Sequence, residues 1–224
     1  IMRPEADMPL DAPGVFLGPF PSGAPANFID TVARLGHSSG IIGGVGNDDF
    51  GRVVKGRLEA DGVDCDQVTV MPQGSTGVAF VTYFGDGSRR FLFHFSETPA
   101  TRAKAPEADV YGEDVRLFHI MGCSLMASSD FATEILKVMD TLVHRGAKVT
   151  FDPNIRPELL ADPASMESVR RVMAQCAVLF PGEGELLLLT GQETLEAAVE
   201  SCFRSAKLEL LVLKRGSSGC TVYS

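Results

Sequence analysis

No two cysteines in this sequence stand in a C-x-x-C spacing, and their number is odd: Cys65, Cys123, Cys176, Cys202 and Cys220. That argues against a disulfide framework and against a zinc site. The thiols read instead as small hydrophobes of a reduced, cytoplasmic protein. His37, His94, His119 and His144 are scattered, so no metal-ligand cluster is visible. No apolar run reaches the about 20 residues of a membrane span, and Ile1-Met2-Arg3-Pro4 has no signal-peptide pattern. Basic residues are in deficit: 20 Lys and Arg against 29 Asp and Glu give a formal charge of −9. A nucleic-acid surface would carry the opposite sign. A nucleotide site is still permitted, because a few amides and one lysine bind phosphates locally. Repeats, low-complexity tracts and linkers are absent. A chain opening on Ile1 is expected to continue upstream.

What is present is a chain of 224 residues, 45% hydrophobic, enough for one α/β domain with a large core. Val15 to Pro25 is rich in Gly and Pro and reads as loop. A helix is predicted over 26–35, with Phe28, Val32 and Leu35 on one face and Gly36 as its stop. Ser39 to Val45 reads as a buried strand and Asp49 to Asp61 as a helix ending at Gly62. Thr76 to Phe84 and Arg89 to Phe95 are rich in Val, Thr, Tyr and Phe around Gly85-Asp86-Gly87-Ser88, the pattern of a β-hairpin. Strands and helices then alternate: strands over 117–121, 148–152, 177–180, 208–213 and from 221, helices over 130–145, 165–175, 183–190 and 195–205. Such alternation predicts a mostly parallel sheet with helices on both faces.

In such sheets ligands lie beyond the carboxyl ends of the strands. The segments there are Gly43-Gly44-Val45-Gly46-Asn47-Asp48, Gly122-Cys123, Asp152-Pro153-Asn154-Ile155-Arg156, Pro181-Gly182-Glu183-Gly184-Glu185 and Lys214-Arg215-Gly216. Each has a plain alternative. Asn27, after Ser22-Gly23-Ala24-Pro25-Ala26, suits a sugar hydroxyl as donor and acceptor but also suits a helix cap. The aromatic hairpin can cover a ligand or simply be exposed. Arg156 can grip a phosphate or carboxylate or make a surface ion pair. Glu183 and Glu185 can be first-turn acids favoured by the helix dipole. Gly216 and Gly219 fit a tight turn.

Taken together and in order from Ser22 to Gly219, these segments resemble the ribokinase-like (PfkB) carbohydrate kinase family. The carriers are the Ser-Gly-Ala-Pro-Ala-Asn loop, Leu35-Gly36, Gly46-Asn47-Asp48-Asp49-Phe50-Gly51, Asp61-Gly62-Val63-Asp64, Thr76-Gly77, Asp152-Pro153-Asn154-Ile155-Arg156 and Gly216-x-x-Gly219. Ser22 and Ile29 depart from the commonest form of the first signature, and Gly182 replaces the Asn of an Asn-x-x-Glu motif. The loop looks like the 2-keto-3-deoxygluconate kinase, tagatose kinase and fructokinase side of the family. The resemblance implies a ribokinase-like α/β fold, here one incomplete domain over 1–224 with 76–95 as part of a β-sheet lid. It implies ATP and Mg²⁺ as cofactors and transfer of a phosphoryl group to a sugar hydroxyl. Gly23, Asn27, Phe93, Phe95, Cys123 and Arg156 would hold the sugar. Lys214, Gly216 and Gly219 would sit at the nucleotide, and Glu185 would act on the metal through water. A homodimer through the lid is also expected.

Family members carry a Gly-Ala-Gly-Asp motif whose Asp deprotonates the acceptor hydroxyl. The 224 residues contain none, so no catalytic residue is assigned. The chain alone is expected to be inactive and to be a piece of a longer protein. A nucleoside kinase, or a sugar-responsive protein without catalysis, are the alternatives. The lid strand Phe91-Leu92-Phe93-His94-Phe95 has Phe93 and Phe95 where sugar-acid kinases place Tyr and Arg, so a neutral ketohexose is expected over a sugar acid.

Overall fold

The computed structural model describes residues 1–112, 114–155 and 163–224, in two compact units, Ile1–Lys104 and Ala105–Ser224. In the first unit the elements are β1 (Arg3–Pro4), β2 (Phe16–Leu17), α1 (Ala24–Arg34), β3 (Gly43–Gly46), α2 (Asp49–Ala60), β4 (Val68–Met71), β5 (Val78–Tyr83) and β6 (Arg89–His94). Pro25 in the first turn presets the φ that α1 needs. Ala26, Ile29 and Ala33 of α1 then pack on a small core of Leu58, Val63 and Cys65. Asp48 caps α2 by accepting from Gly51 N at 2.8 Å.

β3 pairs in parallel with β4, a strand absent from the sequence-based expectation. Val68-Thr69-Val70-Met71 is only four residues long, and Thr69 and Val70 are exposed, so neither length nor alternation marks it. β3 is shorter than expected because 39–42 makes only an isolated bridge, Gly40 with Asp64.

The hairpin β5–β6 forms as expected, with Val81 opposite Phe91 and Ala79 opposite Phe93. It is not left as a bare two-stranded ribbon, which would be marginal in water. Met2 runs beside β5, donating from its amide to Ala79 O and accepting from Val81 N. Thr82 Oγ1 donates to Met8 O at 2.7 Å, and Phe16 meets Phe80 edge-on at 5.8 Å. The N-terminal segment therefore pairs along the edge of β5.

The second unit carries β7 (Leu117–Met121), α3 (Gly122–Leu125), α4 (Ser129–His144), β8 (Lys148–Asp152), α5 (Pro163–Met173), β9 (Cys176–Leu179), α6 (Glu183–Thr190), α7 (Leu195–Phe203), β10 (Leu210–Lys214) and β11 (Cys220–Tyr223). The strands form one sheet in the order β11-β10-β9-β8-β7. β7 to β10 are parallel, and β11 is an antiparallel edge. Alternation sends Ile120, Val149, Phe151, Leu179, Leu211 and Leu213 into the core against Leu136 and Met139 of α4, Val169 and Val172 of α5, and Leu186 of α6. Burying a side chain such as Phe151 contributes roughly 1.5–3 kcal/mol relative to exposure. Thr150 points the other way and meets His119 Nδ1 at 2.7 Å.

Candidate functional site

The residues singled out in the sequence divide between the two units. In the first, Gly23 occupies the cap position of α1 at φ 125°, a conformation open to glycine, and accepts from Asn27 N at 2.8 Å. Asn27 is thus not the cap, and its exposed side chain is available for a ligand. It borders a cleft of about 190 Å³ lined also by Asp30, Val54 and Arg57. Asp61 raises the Asp30 carboxyl beside it above its ordinary range, while Arg57 foremost holds Asp61 below its own. Asp61 opens the Asp61-Gly62-Val63-Asp64 segment, but no motif in the sequence marks Asp30.

Phe91, Phe93 and Phe95 share one face of β6 and its continuation. The first two rings stack at 5.3 Å, and Phe93 meets Phe95 edge-on at 5.5 Å. Arg89 lies over the Phe91 ring at 5.6 Å, on the same face. His94 turns to the opposite face, against Phe80.

Asp48 does more than cap α2. Its Oδ2 accepts from Thr76 N at 2.7 Å, and its Oδ1 accepts from Thr76 Oγ1 at 2.7 Å. Thr76 Oγ1 in turn accepts from Gly46 N at 2.8 Å. A Cβ on Gly51 would stand 2.2 Å from Gly46 O, so the turn closes only around glycine. The sequence displayed these segments separately and gave no sign that they meet.

In the second unit, Lys214 ends β10 and its Nζ donates to Asp152 Oδ1, at the end of β8, at 2.7 Å. Glu185 Oε2 lies 3.9 Å from the same ammonium. Lys214 keeps 40% of its side-chain surface exposed, against 15% for Asp152. Beyond it, Gly216 at φ 55° and Gly219 at φ 85° shape the turn to β11, and a Cβ at either would meet nothing within 4 Å. This is an open loop beside two cations, Lys214 and Arg215, the latter 3.3 Å from Glu183.

Glu185 has structural partners. It accepts from Gly182 N at 2.6 Å and from Ile155 N at 2.8 Å, tying the start of α6 to the loop after β8. The first bond is the return half of a capping box; Gly182 has no side chain for the other half. Among the described residues no group of three His, Cys, Asp or Glu side chains could hold a metal directly. Both oxygens of Glu185 are taken by amides, and Asp152 Oδ1 accepts from Lys214 and from Asn154 N.

Cys123 lies half-buried in the first turn of α3. Its neighbour Gly122 packs so closely on the β8 loop that a Cβ would stand 1.9 Å from Pro153 O. Arg156 lies outside the described residues. Burial, with Lys214 nearby, pushes the His119 imidazole down to about 4, so it stays neutral at physiological pH. Burial pushes the Cys176 and Cys202 thiols up to about 12 and about 11.

Residues 18–224 match the model of the pfkB family of carbohydrate kinases. The chain belongs to this family. Fructokinase-1 from Zea mays is 32% identical over 208 residues, covering 91% of this chain and 64% of the relative. Fructokinase-1 from Oryza sativa subsp. japonica is 31% identical over 210 residues, with the same coverages of 91% and 64%. A protein from E. coli provisionally named ribokinase II, solved in complex with ATP and Mg²⁺, is 38% identical and superposes with a TM-score of 0.89 over 100% of this chain and 71% of its own. The fold of this pfkB family member is therefore the ribokinase-like α/β fold that the sequence led us to expect. The chain spans 65% or less of the length of these curated fructokinases. No helix of the described residues is long and apolar enough to cross a membrane.

Proposed function

We propose that the protein containing this chain is a cytoplasmic kinase that transfers the γ-phosphoryl group of ATP to a hydroxyl of a neutral ketose such as fructose or tagatose. The observation that carries the reading is Lys214, fixed by Asp152 beside the open Gly216–Gly219 turn at the carboxyl end of a parallel sheet. ATP with Mg²⁺, when bound, supplies the phosphoryl group and the charge that neutralises it. Lys214 offsets negative charge on the phosphates, and Gly216 and Gly219 let backbone amides approach them. Asp152 and Glu185 hold the ammonium in place and offer outer-sphere contacts to the metal.

On the sugar side, Gly23 and Asn27 bind hydroxyls at the start of α1; Cys123 and Arg156 are further candidate sugar contacts. The hairpin 76–95 serves as a lid whose Phe93 and Phe95 cover the sugar and exclude water, which competes as phosphoryl acceptor. β6 and its continuation have Phe93 and Phe95 where a sugar acid needs a cation, which favours a neutral substrate. Tyr83 and Leu92 of the hairpin are exposed, and pairing of two hairpins in a homodimer would cover them. Light scattering giving a monomer at micromolar concentration removes the dimer.

A coupled assay of the full-length protein with ATP, Mg²⁺ and a panel of ketoses, sugar acids and nucleosides tests the function. Turnover of a ketose is the expected result. A higher kcat/KM for 2-keto-3-deoxygluconate overturns the neutral-substrate assignment and makes Arg89 or Arg156 the cation. Nucleoside turnover, or none, overturns the sugar reading itself.

A further inference from the structure

The hairpin leaves the body of the first unit through residues 72–77 and returns through 95–102. The returning root is clamped by backbone: the carbonyl of Pro99 lies so close to β3 that a Cβ on Gly44 would stand 2.4 Å from it. The outgoing root is held differently. Arg102 Nη2 donates to Gln73 O at 2.6 Å, and Thr76 is gripped by the Asp48 carboxylate through both its amide and its hydroxyl. Thr76 is buried, and its hydroxyl is saturated, donating to Asp48 and accepting from Gly46 N. Two residues further on, Val78 begins the ladder with β6. One carboxylate thus joins the glycine turn after β3, the first turn of α2 and the root of the hairpin.

We propose that Asp48, acting through Thr76, is a positioning residue that fixes the angle at which the hairpin stands on the first unit, and so sets the affinity for the sugar. The proposal deepens the reading of the hairpin as a sugar lid and rests on it for the affinity part. The physical ground is directional. A bidentate grip on an amide and a hydroxyl of one residue fixes orientation as well as distance, and charge-assisted bonds of 2.7 Å are the stronger kind. If the hydroxyl of Thr76 is lost, the segment 72–77 keeps the Arg102 contact and the amide bond; if the Asp48 carboxylate is altered, it keeps the Arg102 contact and the bond from Gly46 N, and in either case it can swivel about the flexible pair Gly74, at φ 89°, and Gly77.

The two functions of Asp48 separate by substitution. Asparagine caps helices as well as aspartate, so Asp48→Asn can keep the bond from Gly51 while replacing one of the two acceptor oxygens offered to Thr76 by a donor. Thr76→Val keeps the side-chain volume and the amide bond and removes the hydroxyl, with its bond to Asp48 and the one it accepts from Gly46 N. Thr76→Ser keeps the hydroxyl and is the control. Hydrogen–deuterium exchange of full-length protein is read peptide by peptide, alongside sugar and ATP KM. Asp48→Asn and Thr76→Val are expected to raise exchange across 78–94 by about tenfold, the scale of a local opening, with α2 and the second unit unchanged. Sugar KM rises with it while ATP KM stays, and Thr76→Ser restores both. Unchanged exchange in the hairpin overturns the proposal. So does a rise spread equally through α2, which marks general destabilisation, or a mobile hairpin with an unaltered sugar KM. If Asp48→Asn fails to fold, the Thr76→Val and Thr76→Ser pair decides. Raised hairpin exchange in a protein that phosphorylates no sugar overturns both the affinity part and the kinase reading, and leaves the structural grip standing.

Discussion

Lys214 Nζ and Asp152 Oδ1, 62 residues apart in sequence, meet at 2.7 Å where β10 and β8 end. The pair is partly exposed, so its own contribution to stability is small. Its consequence is orientation: an otherwise mobile ammonium is held at the mouth of a glycine turn. Lys214→Ala in the full-length protein is expected to raise ATP KM by about tenfold or more, since a hydrogen bond to a charged group is worth roughly 1.5–3 kcal/mol. Initial rates across an ATP series check this. An unaltered ATP KM would remove Lys214 from the nucleotide site.

Asn27→Ala is expected to raise sugar KM about fivefold, the equivalent of one neutral hydrogen bond of about 1 kcal/mol. Its melting temperature should match the wild type, because Gly23 and not Asn27 holds the cap position of α1. Thermal unfolding beside sugar-series kinetics separates the two roles, and a fall in Tm with constant KM would make Asn27 structural.

Glu185→Ala is expected to lower stability without any metal present. It strands the amides of Gly182 and Ile155, at a cost on the order of 1–3 kcal/mol for each buried donor left unpaired. Urea unfolding in EDTA reads this directly. Stability equal to wild type would mean that Glu185 serves the metal rather than the loop.

Asp48 gives the acid response a sign. Burial works against its ionisation, but the bonds from Thr76 and Gly51, with Arg52 nearby, outweigh it and hold the carboxyl below the ordinary 3.8. The unfolded chain therefore takes up the proton first as pH falls. The stabilisation is fully present above about 3.8 and is lost as pH drops through the lower folded value. In Asp48→Asn the acid limb of stability below pH 4 should be shallower than in wild type, as measured by urea midpoints. Parallel limbs would show that Asp48 is not shifted by folding.

Much of the second unit was legible from sequence because its strands are short apolar runs with both faces shielded. β7 at 117–121, β8 at 148–152 and α6 at 183–190 fall at the expected bounds. β4 was not legible, since an exposed four-residue strand has no period to detect. The N-terminal pairing with the hairpin escaped because it runs through the backbone of Met2 and Met8, whose side chains give no hint of it. The site was legible as residue types and not as partnerships. Lys214, Glu185, Gly216 and Gly219 stand out in the chain. That Lys214 takes Asp152, that Glu185 takes the amide of Ile155, and that Asp48 takes Thr76 depends on the path of the backbone over 28 to 62 residues.

The buried thiols give the second unit an internal reporter. Cys176 and Cys202 lie in its core on β9 and α7, while Cys220 is at the surface. With their thiols pushed to about 12 and about 11, the two core cysteines carry almost no thiolate at neutral pH, and they keep only 1% and 5% of their surface exposed. Once Cys65, Cys123 and the exposed Cys220 are replaced by serine, slow capture by a thiol probe therefore reports on the opening of this core. Ligands that seat on Lys214 and the neighbouring loop should lengthen that interval, so a colour change in a cuvette would register occupancy without any turnover being measured.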